Sequence, residues 1–261
     1  MPLSLGGDCR AAAAKMLARL DGTFRAVIRP PFVVIGNLPT AKLEQVADGS
    51  VVRPARAMWA SYFQRRPTDA IIALLLKDDR SYRAWAKKLF GDIDVSHFGY
   101  YRPGERTLVM NISTGTGTLV HELTHALIVY DFPNVPDWFN EGLASLHEQC
   151  QIHEDRVVGL VNWRLLGLQR AVRAGSLRPL RELLTKDDFY RSRSGLNYAQ
   201  ARYFVMYMQQ RGLLRKFYKA YRARQREADS AVKCVESVFG RKLHEVEQDL
   251  LEWVKPLRWP R

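Results

Sequence analysis

TLVHELTHALIVY, residues 118–130, and PDWFNEGLAS, residues 136–145, decide the reading of this chain. The first stretch is apolar at helical spacing and predicts a helix from about Thr118 to Tyr130, with Thr116 or Thr118 able to cap it. That helix must stop near Asp131, because Pro133 and Pro136 follow. A second helix is expected from about Asp137 to Cys150.

His121-Glu122-Leu123-Thr124-His125 is an H-E-x-x-H motif on the first helix. Residues four apart lie on one helix face, one turn above the other. Two imidazoles so placed can reach one zinc ion at about 2.0–2.1 Å. Glu122 is rotated from His121 by roughly 100°. It can lean toward a water on the metal instead of ligating it. A catalytic zinc takes three protein ligands and keeps one position open. A third histidine in an H-x-x-G-x-x-H continuation fails, since Ile128 and Asp131 stand where it needs Gly and His. Glu141, one turn into the second helix, is the better candidate, because the proline-broken link lets the chain reverse. The plainer alternative is two half-buried helix histidines and a surface acid.

Working outward, the region before the motif mixes strands and helices. Ala11–Leu20 reads as helix, Phe24–Ile35 as extended, and Leu43–Arg66 as helix interrupted near Gly49 and Pro54. Pro30 and Pro31 argue against a central strand over the whole of Phe24–Ile35. Ala70–Leu76 reads as a buried strand, and Ser81–Leu89 as an amphipathic helix ending at Gly91. Gly99–Ile112 reads as a hairpin turning at Pro103-Gly104, with Val109–Ile112 a candidate exposed edge for an extended peptide. Beyond Gln151 the periodicity is helical over 161–174, 180–184, 198–211, 213–226 and 231–254, which predicts an all-helical second lobe. The expected class is α+β: a lobe over 1–131 with the sheet, hairpin and motif helix, and a helical lobe over 132–261 with the third ligand.

Composition narrows the chemistry. The 261 residues are 47% hydrophobic and 26% charged, an ordinary globular balance. Cys9, Cys150 and Cys234 are few, odd in number and far apart, which excludes a disulfide framework and a thiolate zinc site. The longest central apolar run, Ala70–Leu76, is far short of the roughly 18–20 residues of a bilayer helix. No convincing signal peptide opens the chain, so a cytoplasmic location is expected if Met1 is the native start. Residues 1–160 hold 18 Lys/Arg against 17 Asp/Glu, whereas residues 161–261 hold 22 against 10. Arg211–Arg226 has seven basic residues and no acid, interleaved with Leu213, Leu214, Phe217, Tyr218 and Tyr221. Such a helix can meet nucleic acid or an anionic membrane surface, or simply turn a basic face to water.

Gly99-Tyr100-Tyr101, Leu108–Ile112, His121–His125 and Pro136–Ala144 resemble the gluzincins, in particular the peptidase-MA-like bacterial group. The resemblance spans about residues 98–210. It implies a zincin-like fold, a Zn2+ cofactor, His121, His125 and Glu141 as ligands, and Glu122 as general base. Two features depart from it: Ser145 stands four residues after Glu141, where many thermolysin-type relatives carry an acid, and the G-A-M-E-N exopeptidase motif is missing. Ligand histidines normally donate their second N–H, and Asp137, Glu148 or a backbone carbonyl can accept it. The expected function is a zinc-dependent metallopeptidase acting on peptide or protein substrates, an endopeptidase. The alternative is a non-catalytic zincin-like module whose basic lobe binds an acidic partner or nucleic acid.

The oxyanion donor expected for this chemistry is Tyr198, with aromatic packing beside Tyr203 and Tyr207 as its plainer role. His147 and His153 could hold a second metal but read more simply as surface histidines. His97 and His244 stand alone.

Overall fold

The structure, a computed structural model, describes residues 4–225 and 227–259. The chain is α+β and divides into two compact units, Met1–Asp131 and Phe132–Arg261.

The first unit is built on a five-stranded mixed sheet in the order β1-β2-β3-β5-β4. Its strands are β1 (Arg25–Arg29), β2 (Phe32–Gly36), β3 (Ile71–Leu76), β4 (Gly99–Arg102) and β5 (Thr107–Asn111). β2, β3 and β5 run parallel to one another, and β1 and β4 pair antiparallel at the two edges. Interior strands of such a sheet are covered on both faces and read as unbroken apolar runs. β2 (FVVIG), β3 (IIALLL) and β5 (TLVMN) are buried at every position. Successive side chains alternate faces. Val33, Ile35, Ile72, Leu74, Leu76 and Val109 therefore share one face, with Cys9 and Met16 of α1 (Leu5–Leu17) and Tyr82 of α4 (Asp79–Phe90) packed in the same cluster. Between β2 and β3 run α2 (Thr40–Val46), a π-helical turn (Ala47–Val52) and α3 (Arg53–Ser61).

One expectation holds here, since no single strand spans Phe24–Ile35, and one is corrected. Pro30 and Pro31 fall in the turn between β1 and β2, since Arg29 pairs with Phe32. The prolines thus break no ladder, and β2 is an interior strand. Val109–Ile112 offers no free edge, because β5 lies between β3 and β4. The run Leu108-Val109-Met110 is too continuously apolar for a solvent edge. The edge on that side belongs to β4.

The motif helix α5 (Gly117–Asp131) closes this unit and packs against β4 and β5. Leu119, Leu123, Ala126 and Leu127 are fully buried along it. Its last residue, the buried Asp131, accepts hydrogen bonds from the backbone N–H groups of Gln64 (2.9 Å) and Arg65 (2.8 Å). The end of the motif helix is thereby tied to the segment that follows α3.

The second unit contains α6 (Asp137–Glu148), α7 (Arg164–Arg173), α8 (Leu180–Thr185), α9 (Ser194–Gln210), α10 (Leu214–Ala223), α11 (Ser230–Phe239) and α12 (Leu243–Val254). It is not all-helical: β6 (Cys150–His153) and β7 (Arg156–Gly159) form a hairpin. Glu154 and Asp155 turn it with φ of 46° and 61°, in a left-handed conformation that glycine or asparagine usually signals. Phe132, Trp138, Phe139, Phe204, Phe217, Tyr218 and Tyr221 make one aromatic core, with ring centroids 5.2–6.1 Å apart in the pairs around Trp138 and Phe139.

α6 and α9 are the most closely packed helices of this unit. Gly142 permits that approach. A Cβ there would stand 3.0 Å from the Ala201 carbonyl oxygen and 3.0 Å from Val205 Cγ2. The glycine beside Glu141 is thus set by backbone crowding. Arg202 of α9 is fully buried and clamps the far end of α6, its Nε donating to the Ser145 carbonyl (2.9 Å) and its NH2 to the Leu160 carbonyl (2.5 Å). Burial lowers the pKa of this guanidinium to about 10, so it stays charged at neutral pH.

Candidate metal centre

The helical spacing of α5 brings the first two expected ligands together. The Nε2 atoms of His121 and His125 lie 3.1 Å apart, with ring centroids 4.8 Å apart and planes crossing at 78°. Both rings are half-buried while the opposite face of the helix is in the core. Glu141, in the second turn of α6, is 6% exposed. His121, His125 and Glu141 each offer one ligand atom, and all three atoms lie within 4.8 Å of one another. Ligand atoms around an ideal tetrahedral zinc stand about 3.3 Å apart. The two imidazoles and one carboxylate therefore form a group that could hold a metal ion after small side-chain adjustments. Among the described residues it is the one such cluster of three or more His, Cys, Asp or Glu.

Glu122 is half-buried on α5, one residue along from His121. It lies near enough to Tyr82 to act on it electrostatically; burial first, and this charge among lesser causes, push that phenol up to about 12.

Glu141 has a partner that sequence reasoning missed. The Tyr190 hydroxyl donates to Glu141 Oε1 at 2.7 Å. Burial, together with the Glu141 charge and that bond, pushes the Tyr190 phenol far above its ordinary range, so the hydroxyl remains a donor at any physiological pH. Tyr190 sits in the loop between α8 and α9. Its only sequence signal is the Phe189-Tyr190 pair in an otherwise polar stretch. Tyr198, the expected donor, lies in the second turn of α9, which starts earlier than expected, at Ser194. Its ring packs 5.2 Å from Phe189 and 6.4 Å from Tyr190, with the Arg164 guanidinium 5.9 Å away. Desolvation, then the charges of Asp187 and Glu141, raise the Asp137 carboxyl above the usual range. Glu148 is held by Arg164 at 2.5 Å.

His147, expected at the surface, is fully buried in α6. His153 is exposed and stands 3.0 Å from Gln151 Oε1. His97 pairs with Asp79 at 3.3 Å. In the basic stretch, α10 buries Leu214, Phe217, Tyr218 and Tyr221 in the aromatic core, while Arg215, Lys216 and Lys219 remain exposed. That apolar face is therefore committed to packing. Arg226, the last residue of the stretch, lies outside the described residues. No described helix is long and apolar enough to cross a membrane.

No protein-family profile matches the chain, and no curated protein matches it significantly.

Proposed function

We propose that this protein is a zinc-dependent metallopeptidase of the gluzincin type, with an H-E-x-x-H helix and a downstream glutamate ligand. One observation carries the reading: the ligand atoms of His121, His125 and Glu141 lie within 4.8 Å of one another, and the motif's glutamate is next to the first of them. Two imidazole nitrogens and one carboxylate oxygen are a donor set suited to catalytic zinc, with a coordination position left open. A zinc ion held there would supply a Lewis acid and lower the pKa of a bound water toward about 7.

The chain's own residues do the rest. Glu122 accepts a proton from the attacking water and returns it to the leaving amine. Tyr198 supplies the donor for the oxyanion of the tetrahedral intermediate, while Tyr190, whose single O–H is given to Glu141, holds that carboxylate in register. β4 lies beside α5, and among the described residues no strand pairs with its outer edge. An extended substrate added along that edge would bind by main-chain hydrogen bonds, with little demand on its sequence.

The test is digestion of a proteome-derived peptide library by the zinc-loaded chain beside Glu122→Gln. The substitution should leave zinc content unchanged and lower turnover by about 10²–10⁴-fold. Equal turnover by the two proteins removes the general base. Full zinc content with no cleavage of any peptide turns the reading toward a binding module.

A further inference from the structure

A second feature of the helical unit lies outside the metal cluster. Trp163, just before α7, is 54% exposed, and Leu166 on its first turn is 44% exposed. They border a groove of about 660 Å³ between α7 and the start of α9, lined also by Gly167, Ala171, Gly195 and Ala199. Gly167 lies inside α7 and Gly195 in the first turn of α9. Glycine weakens a helix relative to alanine. Yet a Cβ at either position would meet no atom within 4 Å. The chain's own packing does not demand glycine there, and both positions border the groove.

The groove's charge is one-sided. Arg164 and Arg170 line it, and no acid does. Arg164 is neutralised by Glu148. Arg170 is exposed, and no described residue forms an ion pair with it. With 22 basic and 10 acidic residues over 161–261, a second copy of this surface would be repelled. An acidic occupant would be drawn in.

The groove also connects to the candidate ligand. The Arg164 guanidinium stands 4.2 Å from the Trp163 ring and 5.9 Å from the Tyr198 ring. Tyr198 packs 6.4 Å from Tyr190, whose hydroxyl reaches Glu141. An unbroken row of side chains thus runs from the groove to the carboxylate.

We propose that this groove is a docking subsite for an extended acidic peptide segment carrying one large apolar side chain. That side chain lies on Trp163 and Leu166, the peptide backbone passes the two glycines, and a carboxylate of the segment pairs with Arg170. The inference rests on the peptidase reading and narrows its substrate class.

The test is fluorescence anisotropy with a fluorescein-labelled decapeptide of Asp, Glu and Gly around one Trp, using the full chain with Glu122→Gln so that nothing is hydrolysed. Trp163→Ala, Arg170→Glu and Gly167→Leu should each weaken binding about tenfold or more. Arg170→Glu should also favour a probe in which Lys replaces the acids. Gly167→Leu fills the groove with a good helix former, so its Tm should stay level or rise, separating a blocked site from a failed fold. Wild-type affinity in all three variants overturns the proposal. So does tighter binding of decanoate than of the peptide when Gly167→Leu abolishes it, which would assign the groove to acyl chains. Hydrolysis of a short peptide lacking the acidic segment reports the metal site separately: its absence counts against the peptidase reading, whereas the binding result decides the groove.

Discussion

The two halves of this chain hold their candidate ligands by different means. In the first unit a hydrogen-bonded ladder does it. β2, β3 and β5 fix one another in parallel register, α5 packs on β4 and β5, and Asp131 ties its end to the backbone of Gln64 and Arg65. In the second unit side-chain shape does it. Glu141 sits on a helix wedged against α9 by a glycine, clamped by the buried Arg202 and surrounded by aromatic rings. A ladder tolerates many apolar sequences, provided they are continuous. A shape-fitted helix pair tolerates few changes at the crossing. The histidine pair should therefore survive substitutions that displace Glu141.

The largest effect that would break this contrast lies in the aromatic core. Phe139 is fully buried among Trp138, Phe217, Tyr218 and Tyr221. Phe139→Ala should cost about 3–5 kcal/mol in urea unfolding and loosen zinc binding through α6. Leu74→Ala, in the middle of β3, should cost about 2–5 kcal/mol while leaving the metal affinity of the remaining folded protein unchanged. Equal metal affinity in both variants would erase the distinction.

A sharper version uses Gly142, where the crowding is against backbone. Gly142→Val should cost about 1–3 kcal/mol and shift Glu141, seen as reduced zinc affinity at unchanged helix content by circular dichroism. An unchanged Tm would show that α6 and α9 have slack between them.

The smallest effect concerns the thiols. Burial raises the Cys9 and Cys234 thiols and takes Cys150 up to about 11. At pH 8 all three are held as unreactive thiols, and thiolate appears only as pH rises toward the raised values. Iodoacetamide at pH 8 should label the native chain slowly at every cysteine and quickly in urea, and mass spectrometry reads the difference. Fast native labelling at Cys150 would mean that the β6–β7 hairpin opens readily.

The same contrast explains what the sequence could tell. β3 was legible because seven consecutive apolar residues, Ala70–Leu76, bounded by charge can hardly be anything else in a sheet protein. α5 was legible from its periodicity and from the prolines that end it. β2 was obscured because the two prolines sit in a turn whose position only the pairing reveals. The β6–β7 hairpin was obscured because Glu154 and Asp155 make a left-handed turn without glycine or asparagine. In the site, His121 and His125 follow from four-residue spacing within one helix. Glu141 needed a guess about how two helices meet. Tyr190 comes from a loop, where spacing carries no geometry. Gly142 could be read as part of a motif, but its reason, the carbonyl of Ala201, lies 59 positions away.

X-ray absorption at the zinc edge of the zinc-loaded chain tests the coordination directly. Two imidazole nitrogens and one carboxylate oxygen at about 2.0–2.1 Å, with a further light-atom scatterer from solvent, are expected, and Glu141→Ala should lose the carboxylate contribution. A spectrum with sulfur at about 2.3 Å, or one that Glu141→Ala leaves untouched, would contradict a His121–His125–Glu141 centre.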